Sequence, residues 1–114
     1  MEHIVEYTLL YDFYGEMLTP HQKAVYEAAL FDDLSLAEIA QEQGISRQGV
    51  HDLIKRCNKI LDGYEAKLHL VERFHKARKL AEALNERIIQ CETTYDADLM
   101  KEIGQISREV VALF

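Results

Sequence analysis

The chain has 114 residues, of which 48% are hydrophobic and 29% are charged, and its formal net charge is −7 with histidine neutral. This length suits one small folded domain, and the composition excludes a generally disordered chain. The acidic balance argues against a protein that coats nucleic acid or an anionic membrane over its whole surface. One proline and five glycines argue against a turn-rich β-sandwich or barrel and favour helices.

The sequence also excludes several cellular locations. No apolar run approaches the roughly 18 residues of a membrane span. The N-terminal residues lack the basic and apolar regions of a secretion signal. The two cysteines, Cys57 and Cys91, form no Cys-x-x-Cys pair, so we expect reduced thiols in a cytoplasmic protein.

Residues 4–18 are predicted to form the first helix, with apolar side chains over about half of its surface. So wide an apolar face favours a helix that packs between two neighbours in the core. The alternative is that the row of Tyr7, Tyr11 and Tyr14 meets another subunit.

A hydroxyl cap followed by proline predicts the start of the second helix. Thr19 is the cap and Pro20 the first helical residue, and the helix is expected to reach about Phe31. The side chains that we expect in the core are Ala24, Val25, Ala28 and Leu30.

Further cap signals mark two more helices. Ser35 and Glu38 have capping-box spacing for a third helix, which Gly44 ends. Ser46 caps a fourth helix, and Gly63 either ends that helix or only weakens it. The apolar positions of the fourth helix are Val50, Leu53, Ile54, Cys57, Ile60 and Leu61.

From Leu70 onward the apolar residues alternate steps of four and three, which is heptad spacing. This seam ends at Cys91, and a second one runs from Leu99 to Leu113. Two matching seams joined by a short polar turn predict either an antiparallel helical hairpin or an oligomerisation arm.

Residues 36–53 have the pattern of a helix-turn-helix. Ala40 stands where the two helices cross, and Gly44 can adopt the left-handed conformation of the turn. Gln43 departs from the pattern, because an apolar residue is usual there. The expected core consists of Ile39, Ile45, Val50 and Leu53. The alternative is a pair of core helices that binds no nucleic acid, since the motif also occurs in domains that bind only proteins.

The second helix of this motif carries candidate DNA contacts on its outer face. Gln48 can pair with adenine, and Arg47 with guanine or phosphate. Cations further along fit phosphate contacts. Asp52 repels phosphate unless it accepts from a cytosine amine or pairs with a neighbouring cation. The complete set of expected DNA-binding residues is Ser46, Arg47, Gln48, His51, Asp52, Lys55, Arg56 and Lys59.

Several short motifs in residues 7–75 resemble known helix-turn-helix proteins. The segments 18–20, 33–40 and 45–50 look like region 4 of bacterial sigma factors. The segments 11–14 and 54–56, together with residues 45–48, are similar to the YlxM-type family. Its members are small helix-turn-helix proteins of Gram-positive bacteria, usually encoded beside the signal recognition particle GTPase.

This resemblance implies a sigma-region-4-like helical fold, DNA binding and a part in the signal recognition particle pathway. It places the start of the recognition helix at Ser46, Arg47 and Gln48. The family often has alanine where this chain has Gly49, and glycine loosens a helix.

The spacing of potential metal ligands and catalytic groups predicts no active site. The five histidines form no His-x-x-x-His pair. Glu72 and His75 have the spacing used in di-iron bundles, but such a site needs a second motif of this kind. Glycine-rich phosphate loops and nucleophile elbows are also missing. We therefore expect a protein that is not an enzyme and needs no cofactor.

The charges are distributed unevenly along the chain. Residues 1–45 have a net charge of −8, residues 46–79 of +5 and residues 80–114 of −4. Any DNA contact is thus expected in the basic stretch, which begins at the recognition helix. Because the acidic first part opposes a loosely docked duplex, binding should be modest, selective and salt-sensitive. Otherwise, the acidic face is reserved for a basic protein partner.

We therefore predict an all-α protein with a sigma-region-4-like module over residues 1–62. A helical extension over residues 63–114 is expected to build a homodimer or higher homo-oligomer. The predicted function is regulation through sequence-dependent binding of double-stranded DNA. A dimer would present two recognition helices about one turn of DNA apart, which suits palindromic sites. The alternative is a non-catalytic adaptor that binds protein or ribonucleoprotein components of the signal recognition particle.

Overall fold

The computed structural model describes the backbone of residues 2–114 and the side chains from residue 6 onward. This part of the chain consists of helices and connecting turns without a β-strand, which confirms the all-α prediction. The helices are α1 (Glu2–Tyr14), α2 (Pro20–Leu30), α3 (Leu36–Gln43), α4 (Arg47–Leu68), α5 (Leu70–Thr93) and α6 (Ala97–Leu113). A short 3-10 turn, Gly15–Met17, follows α1.

Reciprocal caps fix the starts of α2 and α3 at the predicted residues. The Thr19 hydroxyl accepts from the backbone N–H of Gln22 at 3.2 Å, and the Gln22 side chain accepts from the N–H of Thr19 at 2.9 Å. Ser35 and Glu38 form the same pair of bonds at 3.1 and 3.2 Å. Each cap satisfies backbone donors that have no partner inside the helix.

Helix α4 continues through Gly63 and ends at Leu68. Glycine inside a helix costs about 1 kcal/mol relative to alanine, a cost that the packing of the rest of α4 outweighs. His69 then adopts a left-handed conformation with φ 57°, and α5 begins at the next residue.

The chain divides into two compact units, one up to Val71 and one from Glu72 to Phe114. The first unit contains two apolar clusters, and α2 contributes to both. Val25 packs with α3 and the start of α4, whereas Tyr26 packs with α1 and the second half of α4. The prediction that Ala24 is buried was wrong, because Ala24 is exposed and the adjacent Val25 and Tyr26 fill the two clusters.

The tyrosines of α1 face the core of their own unit. Tyr14 is buried, while Tyr7 and Tyr11 are half-buried against the same cluster. The Tyr7 hydroxyl donates to the Asp62 carboxylate at 3.1 Å, and the Tyr11 hydroxyl donates to Glu27. The interpretation of the first helix as a core helix is therefore confirmed.

The second unit is an antiparallel helical hairpin. Arg87 of α5 pairs with Glu102 of α6 at 3.3 Å, and the sulfur atoms of Cys91 and Met100 are 3.8 Å apart. Ile106, in the middle of the second heptad seam, is buried. Leu84 and Cys91 of the first seam are half-buried, but Phe74, Ala81 and Ile88 are exposed, so the contacts within the hairpin cover only part of that seam.

Candidate nucleic-acid interface

Helices α3 and α4 pack as the two helices of the predicted motif. Ile39 and Val50 are fully buried, and Ala40 is 6% exposed between them. Gly44 joins the helices in a left-handed conformation with φ 69°. Gln43, the departure from the usual pattern, is half-buried. The predicted helix-turn-helix core is thus present.

The first turn of α4 is fixed by a local hydrogen bond. The Ser46 hydroxyl oxygen accepts from the backbone N–H of Gly49 at 2.9 Å. A Cβ atom at position 49 would lie 3.1 Å from this oxygen, which is tight. Gly49 therefore leaves room for the cap, although glycine is a poor helix former.

The eight residues predicted to bind DNA all have exposed side chains on or next to α4. Their exposure follows from the burial of the opposite face of the helix. That buried face includes Val50, Cys57 and Leu61, each with no accessible surface. The structure thus brings the predicted residues together on one helix, whose first residues follow the turn of the motif.

Asp52 organises the polar side chains next to it. The Gln48 side-chain nitrogen donates to the Asp52 carboxylate at 2.9 Å, and Nδ1 of His51 lies 3.6 Å from the same oxygen. The Gln48 amide keeps its carbonyl oxygen and a second N–H for an external partner. Asp52 therefore pairs with a neutral amide and a histidine instead of with a neighbouring lysine or arginine.

The cations of α4 have no carboxylate partner among the described residues. This set consists of Arg47, Lys55, Arg56, Lys59 and Lys67. In α5, by contrast, Lys76, Arg78 and Arg87 each form an ion pair with a glutamate, and only Arg73 and Lys79 have none among the described residues. The remaining acids of α4, Asp62 and Glu65, accept hydrogen bonds from tyrosine hydroxyls of α1. The positive charge on α4 is therefore largely uncompensated by contacts within the protein.

Two shallow depressions follow one another along this helix. The first, of about 200 Å³, is lined by Asp52, Lys55, Arg56 and Lys59. The second, of about 300 Å³, is lined by Lys59, Ile60, Gly63, Tyr64 and Lys67. Sequence reasoning missed Tyr64 and Lys67, because it assigned the helix after Gly63 to another domain. The spacing of four from Lys55 through Lys59 and Gly63 to Lys67 was the available signal.

Other side chains with reactive groups offer no metal centre in the described part of the chain. No three histidine, cysteine or acidic side chains there are placed to share an ion. Burial raises the pKa of the Cys57 thiol, an effect that the nearby Arg56 charge partly opposes. No described helix is long and apolar enough to cross a membrane.

Comparison with known proteins gives one consistent result. A family model with the description "Putative helix-turn-helix protein, YlxM / p13 like" matches residues 1–103. The UPF0122 protein of Lactiplantibacillus plantarum is 46% identical over 99 residues, which cover 85% of this chain and 84% of the relative. The UPF0122 protein of Clostridium novyi is 42% identical over 112 residues, 97% of each chain. That of Latilactobacillus sakei is 42% identical over 97 residues, 85% of each.

Proposed function

The chain belongs to the UPF0122 family of YlxM / p13-like helix-turn-helix proteins, and on this basis we propose that it binds double-stranded DNA through α4. The observation that carries the proposal is the set of five α4 cations without ion-pair partners. Unpaired cations on one exposed helix face attract a polyanion, and binding releases the counterions that the polyanion holds.

In the proposed binding mode, the N-terminal part of α4 enters the major groove, which is about 12 Å wide. Gln48 is the candidate for adenine, because its amide presents a donor and an acceptor outward while Asp52 holds its other N–H. Arg47 lies beside it and fits guanine or phosphate.

The next residues along α4 fit the phosphate backbone at the groove edge. Lys55, Arg56 and Lys59 are exposed and carry charges that position the duplex without reading its sequence. The Ser46 hydroxyl can donate to a phosphate while its oxygen caps the helix, and His51 stands beside Asp52 at the rim. The eight predicted residues are all used in this binding mode.

The proposal also includes a homodimer, since two copies would present two recognition helices to a palindromic site. Large apolar side chains remain exposed in the second unit, and a second copy would cover them. They include Ile88, Ile89, Val111 and Phe114. The regulatory role, a cytoplasmic location and the link to the signal recognition particle belong to this proposal as well.

The deciding experiment is selection from a random duplex library by the full chain at moderate salt. We expect one sequence to be enriched, and its affinity to fall steeply with added salt. Arg47→Ala with Gln48→Ala should abolish the sequence preference. The matched control is Lys101→Gln, which removes one unpaired charge from α6. If no sequence is enriched, direct readout is excluded, and co-purification of signal recognition particle components would favour the adaptor function.

A further inference from the structure

Gly63 lies in the interior of α4, where glycine is the less stable choice. A Cβ atom at this position would meet no atom within 4 Å. The helix conformation there is ordinary, since the positive φ angles of the described residues fall at other positions. Neither packing nor backbone geometry within the protein therefore requires glycine at position 63.

The depression around Gly63 is lined by two lysines together with Ile60 and Tyr64. Lys59 and Lys67 flank it, one turn before and one turn after the glycine, and both are exposed without ion pairs. The neighbouring Asp62 carboxylate accepts from Tyr7, and the Glu65 carboxylate accepts from Tyr14. Both carboxylates are thus engaged with α1, and Lys59 and Lys67 bring positive charge to an open stretch of helix backbone.

Tyr64 also lines this cleft and carries a hydroxyl that can donate a hydrogen bond. The hydroxyls of Tyr7, Tyr11, Tyr14 and Tyr26 each donate to a side chain of the first unit. The Tyr64 ring is half-buried and stacks on Tyr14 with ring centroids 6.0 Å apart, but its hydroxyl has no partner among the described residues. Tyrosine hydroxyls commonly donate to phosphate oxygens in protein–DNA complexes.

The length of α4 separates this cleft from the groove contacts. At 1.5 Å per residue, Lys67 lies about 30 Å along the helix from Arg47, whereas the major groove is about 12 Å wide. A helix that inserts Arg47 into the groove therefore carries Lys67 beyond it. A ligand that reaches both ends of α4 must be an extended polyanion.

We propose that Lys59, Gly63, Tyr64 and Lys67 form a second DNA contact, over which the phosphodiester backbone passes outside the groove that α4 reads. This inference rests on the proposed function and extends its footprint. The absence of a side chain at Gly63 lets the DNA backbone approach the helix closely. The lysines neutralise phosphates on either side, and Tyr64 donates to a phosphate oxygen.

The test compares Gly63→Ala and Lys67→Gln in the full chain, with the enriched duplex extended by about one helical turn on each side as the probe. Gly63→Ala should raise the melting temperature by a few degrees. It should nevertheless bind DNA roughly threefold or more weakly, because the added methyl group weakens about one hydrogen bond to the phosphate. Lys67→Gln should reduce the slope of log affinity against log salt by about 1 and leave the sequence preference unchanged.

The control Lys101→Gln should leave both the affinity and the salt slope as in the wild type. If Gly63→Ala and Lys67→Gln bind like the wild type while Arg47→Ala with Gln48→Ala loses the preference, the second contact is refuted and the proposed function stands. If the wild type binds no duplex, both fail. If an RNA hairpin binds in a Lys67-dependent way and the duplex does not, the assignment to DNA is refuted.

Discussion

The Tyr14 hydroxyl donates to Oε1 of Glu65 at 2.6 Å and accepts from the backbone N–H of Leu70 at 3.1 Å. The same Glu65 oxygen accepts from the N–H of Val71 at 3.0 Å. The first backbone donors of a helix have no partner within it. Helices α1 and α4 therefore supply the acceptors that begin α5.

Removing the Tyr14 hydroxyl should destabilise the first unit. Tyr14→Phe keeps the buried ring but leaves the N–H of Leu70 and the Glu65 carboxylate without this partner. An unsatisfied buried donor costs about 1–3 kcal/mol, so we expect the free energy of unfolding to fall by about 2 kcal/mol. Urea unfolding followed by circular dichroism measures this change. Glu65→Gln retains an acceptor oxygen and should cost less, and an equal or larger loss would contradict this account.

Gly44 and Gly63 should respond to alanine in opposite directions. Gly44 has φ 69°, where a Cβ atom is strained, so Gly44→Ala should cost about 1 kcal/mol. Gly63→Ala should instead stabilise the protein by about 0.5–1 kcal/mol, because it removes glycine from a helix interior. Neither Cβ atom would meet another group within 4 Å, so packing cannot explain a difference. Thermal unfolding of both variants checks the opposite signs.

Local chemistry explains which parts of this fold were predictable from the sequence. The helices that start at Pro20 and Leu36 each begin with a capping box, in which the cap residue and its partner are three residues apart. This spacing can be recognised in the sequence. The hydrogen bond from Tyr14 to Glu65 joins residues 51 positions apart, and no periodicity specifies such a pair. The continuation of α4 through Gly63 depends on tertiary packing that outweighs a local preference.

The candidate site likewise has features that the sequence predicts and features that depend on tertiary contacts. The exposure of Arg47 and Gln48 follows from helical spacing once Val50 is placed in the core. The sequence does not specify the hydrogen bond from Gln48 to Asp52, because Asp52 could equally have paired with a lysine further along the helix. The second depression was missed because Tyr64 and Lys67 follow the glycine that was taken as a domain boundary.

The stability of the first unit should decrease in alkaline solution. Burial is the largest cause that raises the pKa of Tyr26 above its usual 10.0, and the nearby Cys57 raises it further. Burial likewise raises the pKa of Tyr11, and the hydrogen bond to Glu27 is the next largest cause. Because these pKa values are raised in the folded state, the unfolded chain releases its protons first as the pH rises. The free energy of unfolding should therefore change little between neutral pH and about pH 8 and fall clearly above pH 10.

Burial also raises the pKa of Cys57 above its usual 9.0. As the pH rises, the contribution of Cys57 to the free energy of unfolding therefore begins to be lost before that of the tyrosines. Urea unfolding at increasing pH measures the decline. Tyr26→Phe removes one titrating hydroxyl and its bond to Asn58 at 2.5 Å. This variant should be less stable at neutral pH but lose stability less steeply above pH 10. A decline as steep as that of the wild type would rule out Tyr26 as a contributor.

Changing Asp52 should separate its charge from its hydrogen bond. Asp52→Asn keeps an oxygen acceptor for Gln48 and removes a negative charge from the proposed DNA face, so DNA affinity should rise severalfold with the same preferred sequence. Asp52→Ala also removes the charge but releases the Gln48 amide. It should bind more tightly and discriminate less well at the adenine position. Competition binding with single-base variants of the enriched site measures both effects, and identical discrimination by the two variants would exclude the positioning role.

In the second unit, the contact between α5 and α6 within one chain can be tested separately from a contact between two copies of the chain. Ile106 is 9% exposed within the hairpin, whereas Val111 is 74% exposed. Ile106→Asp buries an unpaired charge, so we expect the hairpin to unfold. Val111→Asp should keep the helical content and, if a second copy covers this face, convert a dimer into a monomer. Circular dichroism and light scattering measure the two outcomes. A Val111→Asp variant with the mass of a wild-type dimer would place the contact between copies elsewhere, because a charge at the centre of an apolar contact opposes association.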